Sequence, residues 1–459
     1  MAQFNIAEII EATRGKLVQG RLASRVRRVT TNSRDVKRGD LFIAIVGKKH
    51  DAHDFIPDVI KSGAVALVVS RNISGVPASV SVVKVPDTTW ALGDIARFHR
   101  LRFNIPVIAI TGSAGKTTTK EMIAAVLKIK YQVLKNIGTE NNQFGVPLTI
   151  LKLKPSDEVA VLEVGTNTPG DIPWLASIVQ PTVTVMTNIG ESHLELLKTP
   201  ADVFKEKFAL VKALRPQGVA ILNQDDRFLT QVPSKIKHKA YTFGIRQRSG
   251  FRANNVSVSG NKIHFKVAGA GAFVLPGTAT ANVYNALAAI CCGRLFKVGY
   301  PDIKNVLRKF SFKTGRQAYV KAGKILVIDD TYNANPVSFR SALEAIGQQE
   351  CRGRRILICA DMLELGVQSE KYHREIGGCA VSAGINRIFS YGKFSKYIGL
   401  SAKGRDPRIA VFHTDKPEEI EAKIKNDIVA GDIVLVKGSR GMRTERFVEF
   451  IKKNYKKWS

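Results

Sequence analysis

The segment TGSAGKTTTK (Thr111–Lys120) carries residues suited to bind a nucleoside triphosphate. Gly112 and Gly115 allow backbone N–H groups to approach phosphate oxygens without an intervening Cβ. A helix starting here would add the positive potential of its N-terminus. Lys116 can reach the β- and γ-phosphates, and the Thr117 hydroxyl can ligate Mg²⁺. The glycine-to-lysine spacing is shorter than in the standard P-loop, but a simple Gly/Ser turn would not explain the Lys-Thr-Thr run.

Two further polar residues follow apolar runs typical of buried strands. Glu163 ends VAVLEV, where an unpaired carboxylate would be costly, so it is predicted to ligate magnesium rather than to be a solvent-facing strand end. His193 lies in NIGESHLE after another strand, and the residues alone leave a ligand role and a structural role equally open. Lys205 and Lys207 lie on a helical stretch, where surface lysines are the default expectation.

Three polar motifs near the C-terminus each follow a strand candidate. They are DDTYNANP (Asp329–Pro336), DMLELG (Asp361–Gly366) and KGSRGMRTE (Lys437–Glu445). Open α/β sheets bind ligands at the carboxyl ends of their strands. The alternative is that each motif is a capped turn, but three together favour a nucleotide or peptide site.

The elements that must position these residues alternate between short apolar runs and amphipathic stretches, which is typical of α/β layering. Residues 1–100, 101–311 and 312–459 form three regions, in line with a length of 459 residues. Alternation with glycine breaks from 251 to 275 predicts β-hairpins, followed by a helix over 279–296. In the last region, the alternation of strand candidates with helical stretches predicts a Rossmann-like fold.

The composition is that of a globular protein with an unusual charge balance. There are 70 Lys and Arg against 39 Asp and Glu, a net charge of +31, which predicts attraction to polyanions and anionic surfaces. The sequence lacks an apolar run long enough for a membrane helix, and its start lacks the pattern of a signal peptide, so a cytoplasmic protein is expected. The five cysteines have no zinc-site spacing and are expected to be buried thiols.

In this order, the motifs resemble the ATP-dependent muramyl ligases of peptidoglycan synthesis, over essentially the whole chain. TGSAGKTTTK, NIGTENNQFGVPLT (Asn136–Thr149), the Glu163 strand end and NIGESHLE are similar to motifs of the superfamily. The three C-terminal motifs look like those of the member that adds D-alanyl-D-alanine to UDP-N-acetylmuramoyl-tripeptide. The segment Thr31–Phe55 resembles its UDP-binding segment.

The resemblance implies an α/β fold with the three-domain Mur ligase architecture. Residues 1–100 would bind the UDP substrate, 101–311 would form the central P-loop ATPase domain, and 312–459 would form a C-terminal Rossmann-like domain that binds the dipeptide. ATP would phosphorylate the substrate carboxylate, and the dipeptide amine would attack the acyl phosphate. ATP, UDP-tripeptide and dipeptide would bind in that order, with the third domain closing over the site.

The resemblance also implies roles for individual residues. Catalysis would involve Lys116, Glu163, His193 and Lys207. ATP would be bound by Gly112, Ser113, Ala114, Gly115, Lys116, Thr117, Thr118, Asn282, Arg316 and Asp330. Two Mg²⁺ ions would be held by Thr117, Glu163, His193 and Lys207, the last as a carbamylated lysine with Lys205 its neighbour. The substrates would contact Ser33, Arg34, Thr139, Asn141, Asn142, Asn333 and Asn335.

This chain departs from the family pattern at two positions, and other functions are possible alternatives to the one that the resemblance implies. Asn32 replaces the usual Asp of Asp-Ser-Arg, and Ala281 precedes Asn282 where His is common. The sibling ligase that adds a diamino acid carries Asn-Pro-Arg, whereas here Val337 follows Asn-Pro. A folate polyglutamate ligase lacks the first domain, and a nucleic-acid-binding protein would need aromatic–basic motifs. A monomer without a nucleic-acid partner is expected.

Overall fold

The structure is a computed structural model of the protein, and it describes residues 3–47 and 49–455. The chain divides into two compact units, each built from separate stretches of sequence. Unit 1 comprises Met1–Thr111, Lys130–Thr184 and Phe208–Val219, and unit 2 comprises Gly112–Ile129, Val185–Lys207 and Ala220–Ser459. The three-domain boundaries expected from the sequence stay a prediction.

The first region forms a small α/β layer. Its elements are β1 (Phe4–Asn5), α1 (Ile6–Thr13), β2 (Lys16–Gln19), β3 (Arg25–Val26), β4 (Arg28–Thr30), β5 (Asp40–Ile43), α2 (Ile56–Lys61), β6 (Ala66–Val69), β7 (Ser81–Lys84) and α3 (Thr88–Leu101), with 3₁₀ turns at Ser33–Asp35 and Ala52–Phe55. The sheet order is β2-β7-β6-β5-β4, parallel from β4 to β7 and antiparallel at β2, while β1 pairs with β3.

The central strands β5 and β6 of this sheet are buried along their whole length because both faces are covered. Successive side chains of a strand point to opposite faces. Leu41 and Ile43 of β5 therefore pack into the core that contains α3, while Phe42 packs with Ile56 and Val59 on the other face.

The middle region contains a nine-stranded sheet, counted over the described residues, in the order β16-β15-β14-β13-β12-β11-β8-β10-β9. Its elements are β8 (Val107–Thr111), α4 (Lys116–Leu127), β9 (Val133–Lys135), α5 (Gly145–Ile150), β10 (Val159–Glu163), α6 (Asp171–Val179), β11 (Val183–Met186), α7 (Leu194–Leu197), α8 (Pro200–Lys212), β12 (Val219–Asn223), β13 (Lys239–Gly244), β14 (Phe251–Ser259), β15 (Lys262–Val267), β16 (Gly271–Pro276), α9 (Ala281–Leu295) and α10 (Tyr300–Arg308). β10 lies parallel to both β8 and β9, whereas β14, β15 and β16 form the antiparallel hairpins that the alternation predicted.

The third region is a Rossmann-like layer with the sheet order β17-β18-β22-β19-β20-β21. Its elements are β17 (Ala318–Ala322), β18 (Ile325–Asp330), α11 (Pro336–Gln348), β19 (Arg355–Ala360), α12 (Ser369–Ser382), β20 (Arg387–Tyr391), α13 (Lys396–Arg405), β21 (Ala410–Thr414), α14 (Pro417–Asp427), β22 (Ile433–Lys437) and α15 (Glu445–Tyr455), with 3₁₀ turns at Gly366–Gln368 and Arg440–Met442. All strands except β17 are parallel.

The predicted hairpins over 251–275 and the predicted helix over 279–296 are confirmed, but two other details differ. Several short strands, such as the edge strands β9 and β17, were not predicted, because they lack the long apolar runs of buried strands. The cysteines are free thiols, yet Cys351 and Cys379 are only half-buried rather than buried. No helix in the described residues is both long and apolar enough to cross a membrane.

Candidate functional site

The loop between β8 and α4 has a backbone that requires glycine at two positions. Gly112 has φ +150° and Gly115 has φ +81°, conformations that disfavour a side chain. A Cβ at Gly112 would lie 1.9 Å from Oγ1 of Thr187, and a Cβ at Gly115 would lie 2.6 Å from Oδ1 of Asn285. Helix α4 then begins at Lys116. This is the loop-to-helix geometry that the sequence predicts for a phosphate site.

Asn188 holds this loop through three hydrogen bonds. Its carbonyl oxygen accepts from the N–H of Ser113 at 2.9 Å, and its Oδ1 accepts from the N–H of Ala114 at 2.8 Å. Its Nδ2 donates to the carbonyl of Ala114 at 3.1 Å. The first helical hydrogen bond of α4 runs from the N–H of Thr119 to the carbonyl of Gly115. The backbone N–H groups that precede Thr119 in α4 are therefore the ones suited to bind an anion.

The lysine and threonine that follow the loop lie beside it at the first turn of α4. Nζ of Lys116 donates to the carbonyl of Gly112 at 2.8 Å, so the ammonium lies over the loop. Thr117 is buried at the first turn of α4. The loop thus offers a cation, backbone amides and a hydroxyl, which are the groups that bind phosphates and their magnesium ion.

Two polar residues that no sequence motif singles out, Asn223 and Asp226, bond to the segment that supports this loop. Nδ2 of Asn223 donates to the carbonyl of Thr187 at 2.8 Å, and Oδ2 of Asp226 accepts from the N–H of Ile189 at 2.7 Å. Burial raises the pKa of Asp226, although its hydrogen bonds act in the other direction. Asn223 ends the buried strand β12 and Asp226 follows it, and polar residues at this strand end were the available signal.

Three predicted catalytic residues, Lys116, His193 and Lys207, interact electrostatically. Burial lowers the pKa of His193, and the charges of Lys207 and Lys116 lower it further. Lys207 is fully buried whereas Lys205 is exposed, so the default expectation of surface lysines is wrong for Lys207. Of the two lysines, the one that the family pattern selects, Lys207, is therefore the one that faces the protein interior.

His193 is held by a carboxylate from the third region. Its Nδ1 lies 2.7 Å from Oε2 of Glu364, and this close contact lowers the pKa of Glu364. The N–H of Glu195 donates to the carbonyl of Glu364 at 3.0 Å. His193 also has φ +54°, a left-handed conformation rare for residues other than glycine. Glu364 belongs to the motif DMLELG but was not singled out.

Glu163 closes β10 and is 1% exposed, so the alternative of a solvent-facing strand end is wrong. Its Oε1 accepts from Nδ2 of Asn141 at 2.7 Å, and its backbone N–H and C=O are both bonded by the amide of Asn136 at 3.0 Å. The carbonyl of Thr139 accepts from the N–H of Asn141 at 2.7 Å, whereas Asn142 accepts from backbone N–H groups at the start of α5. Asn141 is thus brought to Glu163, while Asn142 caps a helix.

The three C-terminal motifs meet at one sheet edge because β18, β22 and β19 are neighbouring parallel strands. Nζ of Lys437 donates to Oδ2 of Asp330 at 2.5 Å and to the carbonyl of Asn333 at 3.0 Å. Asn335 caps α11 and donates through Nδ2 to the carbonyl of Ser113 at 3.1 Å. The third-region motif therefore touches the P-loop directly.

A chain of hydrogen bonds joins the P-loop helix to the third region. Oγ1 of Thr119 donates to Asn285, whose Nδ2 donates to Oδ1 of Asn282 at 2.9 Å. Nδ2 of Asn282 donates to Gln317 at 3.2 Å, and the N–H of Gln317 donates to Asp330 at 3.2 Å. Two predicted nucleotide contacts, Asn282 and Asp330, are thus linked through Gln317, a residue that no sequence motif singles out.

The other predicted contact residues lie at loop positions. The guanidinium of Arg316 stacks over the ring of Tyr332 at 3.9 Å. Ser33 and Arg34 form a 3₁₀ turn directly after β4, and Oδ1 of Asn32 accepts from the N–H of Arg34 at 3.1 Å. An aspartate would make the same bond, so the departure at Asn32 preserves the turn.

Within residues 3–47 and 49–455, no three His, Cys, Asp or Glu side chains converge as a metal-binding group. A hydroxyl such as that of Thr117 and a single carboxylate such as Glu163 are nevertheless donors that suit Mg²⁺, which takes further ligands from phosphates and water. The donor chemistry therefore fits magnesium, and the two-ion arrangement stays a prediction.

Comparison with known proteins gives matches along nearly all of the chain. The family description "Mur ligase family, catalytic domain" matches residues 25–100, "Mur ligase middle domain" matches 110–293, and "Mur ligase, glutamate ligase domain" matches 315–440. The UDP-N-acetylmuramoyl-tripeptide--D-alanyl-D-alanine ligase of Escherichia coli is 35% identical over 93% of this chain and 94% of its own. The ligase of the same name from Bacillus subtilis is 32% identical over 98% of both chains.

Solved structures give the same result. The crystal structure of MurF from Acinetobacter baumannii has a TM-score of 0.90 at 29% identity, covering 99% of both chains. MurF ligase from Thermotoga maritima in complex with ADP has a TM-score of 0.84 at 28% identity, covering 95% of this chain and 99% of that one. Because relatives above 30% identity align over nearly the full length, this protein belongs to the Mur ligase family.

Proposed function

We propose that this protein joins D-alanyl-D-alanine to UDP-N-acetylmuramoyl-tripeptide with ATP, giving the UDP-pentapeptide, ADP and phosphate. The contact between Asn335 and the carbonyl of Ser113, at 3.1 Å, carries the proposal. It joins DDTYNANP, the motif that resembles the dipeptide-adding member, to the P-loop. Full-length relatives that bear this activity in their names support the same function.

The reaction would proceed through an acyl phosphate. The γ-phosphoryl group moves from ATP to the terminal carboxylate of the tripeptide, and the dipeptide amine then attacks the carbonyl carbon. The C–O bond to phosphate breaks, and the amine loses its proton. Such chemistry needs positioning and charge neutralisation rather than a protein nucleophile. Lys116 and the amides at the start of α4 would neutralise the phosphates. The three substrates would bind in the order ATP, UDP-tripeptide, dipeptide.

Magnesium would be held by Thr117 and Glu163, with His193 and Lys207 at a second ion, and it would neutralise charge on the transferring phosphoryl group. The full burial of Lys207 supports its carbamylation. An ammonium is costly to bury, whereas the neutral amine can add to CO₂ with loss of a proton. The product is a carboxylate-like anion that suits a metal ligand.

Carbamylation has a matched control in the neighbouring lysine. We expect a carbamate signal in the ¹³C NMR spectrum of protein equilibrated with ¹³C-bicarbonate, lost in Lys207→Ala and kept in Lys205→Ala. Activity should fall only in Lys207→Ala, because Lys205 is exposed. A carbamate signal that survives Lys207→Ala would place the modification elsewhere.

The function is tested by phosphate release from ATP and magnesium with UDP-N-acetylmuramoyl-tripeptide, with and without D-alanyl-D-alanine. Release that depends on the dipeptide, with the pentapeptide identified by mass, is the expected result. Lys116→Ala should abolish it and Lys205→Ala should not. Turnover with UDP-dipeptide and a diamino acid instead would assign the protein to the sibling activity, against which the sequence Asn335-Pro336-Val337 argues.

We further propose that the protein works in the cytoplasm as a monomer with one UDP-linked substrate bound by the first region near Ser33 and Arg34. The terminal residue of the tripeptide, lysine or diaminopimelate, would be identified by assaying both substrates. Attraction to anionic surfaces would follow from the net charge of +31.

A further inference from the structure

A basic cleft lies in unit 1, at the amino ends of the strands of the first sheet. We call it the amino-edge cleft; it has a volume of about 840 Å³ and is lined by Gln3, Phe4, Asn5, Glu8, Arg25, Val26, Arg27, Arg38, Gly39 and Val65. Arg27, Gly39 and Val65 directly precede β4, β5 and β6, which are parallel. The cleft therefore opens at the edge where these strands begin.

This position separates the cleft from the predicted UDP site. Ser33 and Arg34 follow β4, so they lie beyond its carboxyl end, whereas Arg25 and Arg27 lie at or before its start. A strand residue advances about 3.3 Å, and the two groups lie at opposite ends of the strand. A ligand in the cleft would not occupy the site proposed for the uridine diphosphate.

The charge of the cleft comes from three exposed arginines, Arg25, Arg27 and Arg38. Within the part of the chain that the structure describes, none of the three makes an ion pair or donates a side-chain hydrogen bond. The carboxylate in the lining, Glu8, is already paired with Arg102 at 2.7 Å. Three like charges around one concavity repel each other, and an anion between them would relieve that repulsion.

Two glycines hold these arginines in place. A Cβ at Gly39 would lie 3.0 Å from Cδ of Arg27, so the stem of this arginine lies against the glycine. A Cβ at Gly63 would lie 3.0 Å from Cα of Arg38, so the backbone of the second arginine packs there. Arg25 and Arg27 are exposed on either side of the buried Val26, and both line the cleft.

We propose that the amino-edge cleft binds a small, multiply charged phosphate anion. Guanidinium groups bind phosphate oxygens through paired N–H donors, and three of them match an anion of several charges better than a single carboxylate. A concave site of this volume suits a small molecule more than a flat lipid surface. Phe4 is buried in the core and is contacted by the guanidinium of Arg102, so the described lining of the cleft offers no aromatic face for a base. The ligand is therefore recognised by its phosphates.

The test is a calorimetric titration of the full chain with inorganic triphosphate in magnesium-free buffer. We compare the wild type with the triple variant Arg25→Gln, Arg27→Gln and Arg38→Gln. The matched control removes the same charge elsewhere, at exposed residues of unit 2: Arg248→Gln, Lys262→Gln and Lys266→Gln. The series is repeated with Lys116→Ala, which separates triphosphate bound at the P-loop from triphosphate bound in the cleft.

We expect one triphosphate per chain in the Lys116→Ala background. Its affinity should fall roughly tenfold or more in the cleft variant and stay within about twofold in the control, since charge-assisted hydrogen bonds are lost only in the former. Equal losses in both variants would show a general effect of the positive field and overturn the proposal. So would the absence of any binding, or binding that appears only with phosphatidylglycerol vesicles, which would identify a lipid surface instead. Failure of the ligase assay would leave these outcomes unchanged.

Discussion

Replacing Gly115 by alanine perturbs the P-loop at one defined contact. The residue has φ +81°, and its new Cβ would lie 2.6 Å from Oδ1 of Asn285. A left-handed conformation costs an L-residue about 1–2 kcal/mol. Asn285 must also move, which disturbs its hydrogen bonds to Thr119 and Asn282, each contributing about 1 kcal/mol net. The expected loss is about 3–4 kcal/mol, shared between folding and nucleotide binding.

The control for this variant is Gly260→Ala. Gly260 also has a positive φ, +57°, but a Cβ there would meet nothing within 4 Å. It lies between β14 and β15, away from the loop. This control should lose only the conformational cost of about 1–2 kcal/mol. The difference between the two variants therefore measures the contact with Asn285.

Chemical denaturation and calorimetric titration with ADP and magnesium measure the two parts. Gly115→Ala should lower the free energy of unfolding by more than Gly260→Ala does, and it alone should weaken ADP binding by about tenfold or more, equivalent to about 1.4 kcal/mol. If both variants unfold alike and bind ADP as the wild type does, the close approach of the loop to α9 does not constrain the site and the reasoning is refuted.

Further outcomes follow from other contacts. Asp226→Asn should raise KM for ATP severalfold, because an amide is a weaker acceptor for the N–H of Ile189 than a carboxylate; an unchanged KM would exclude a positioning role. Asn335→Asp keeps the helix cap but loses the donor to the carbonyl of Ser113, so activity should fall about fivefold with little change in melting temperature; a large loss of stability would contradict this. Burial lowers the pKa of His99 to about 4, so the folded state favours the neutral ring. The contribution of neutral His99 to the free energy of unfolding should be fully present above the unfolded pKa of about 6.5. This free energy should decline by roughly 3 kcal/mol as pH falls to 4. The pH dependence of denaturation should be reduced in His99→Gln, and an equal slope in the variant would assign the titration to another group.

The local elements and the P-loop could be predicted because their causes are local in sequence. A buried strand, two glycines and Lys-Thr-Thr define the loop, and the apolar periodicity defines the layers. The resemblance added the roles of residues such as Glu163 and His193. Their structural settings, a buried carboxylate bonded to Asn141 and a histidine paired with Glu364, agree with those roles without testing them.

The sequence by itself determined which motifs this chain carries, their strand-end positions and the family pattern that they follow. Only the tertiary structure decided which side chains support them, because those contacts join residues far apart in the chain. Asp226 bonds to Ile189, Gln317 bridges Asn282 and Asp330, and Lys437 pairs with Asp330 across two parallel strands. The burial that separates Lys207 from Lys205 likewise depends on which face of α8 the core covers. Side-chain type and spacing do not encode these partners, since they arise from sheet order and packing.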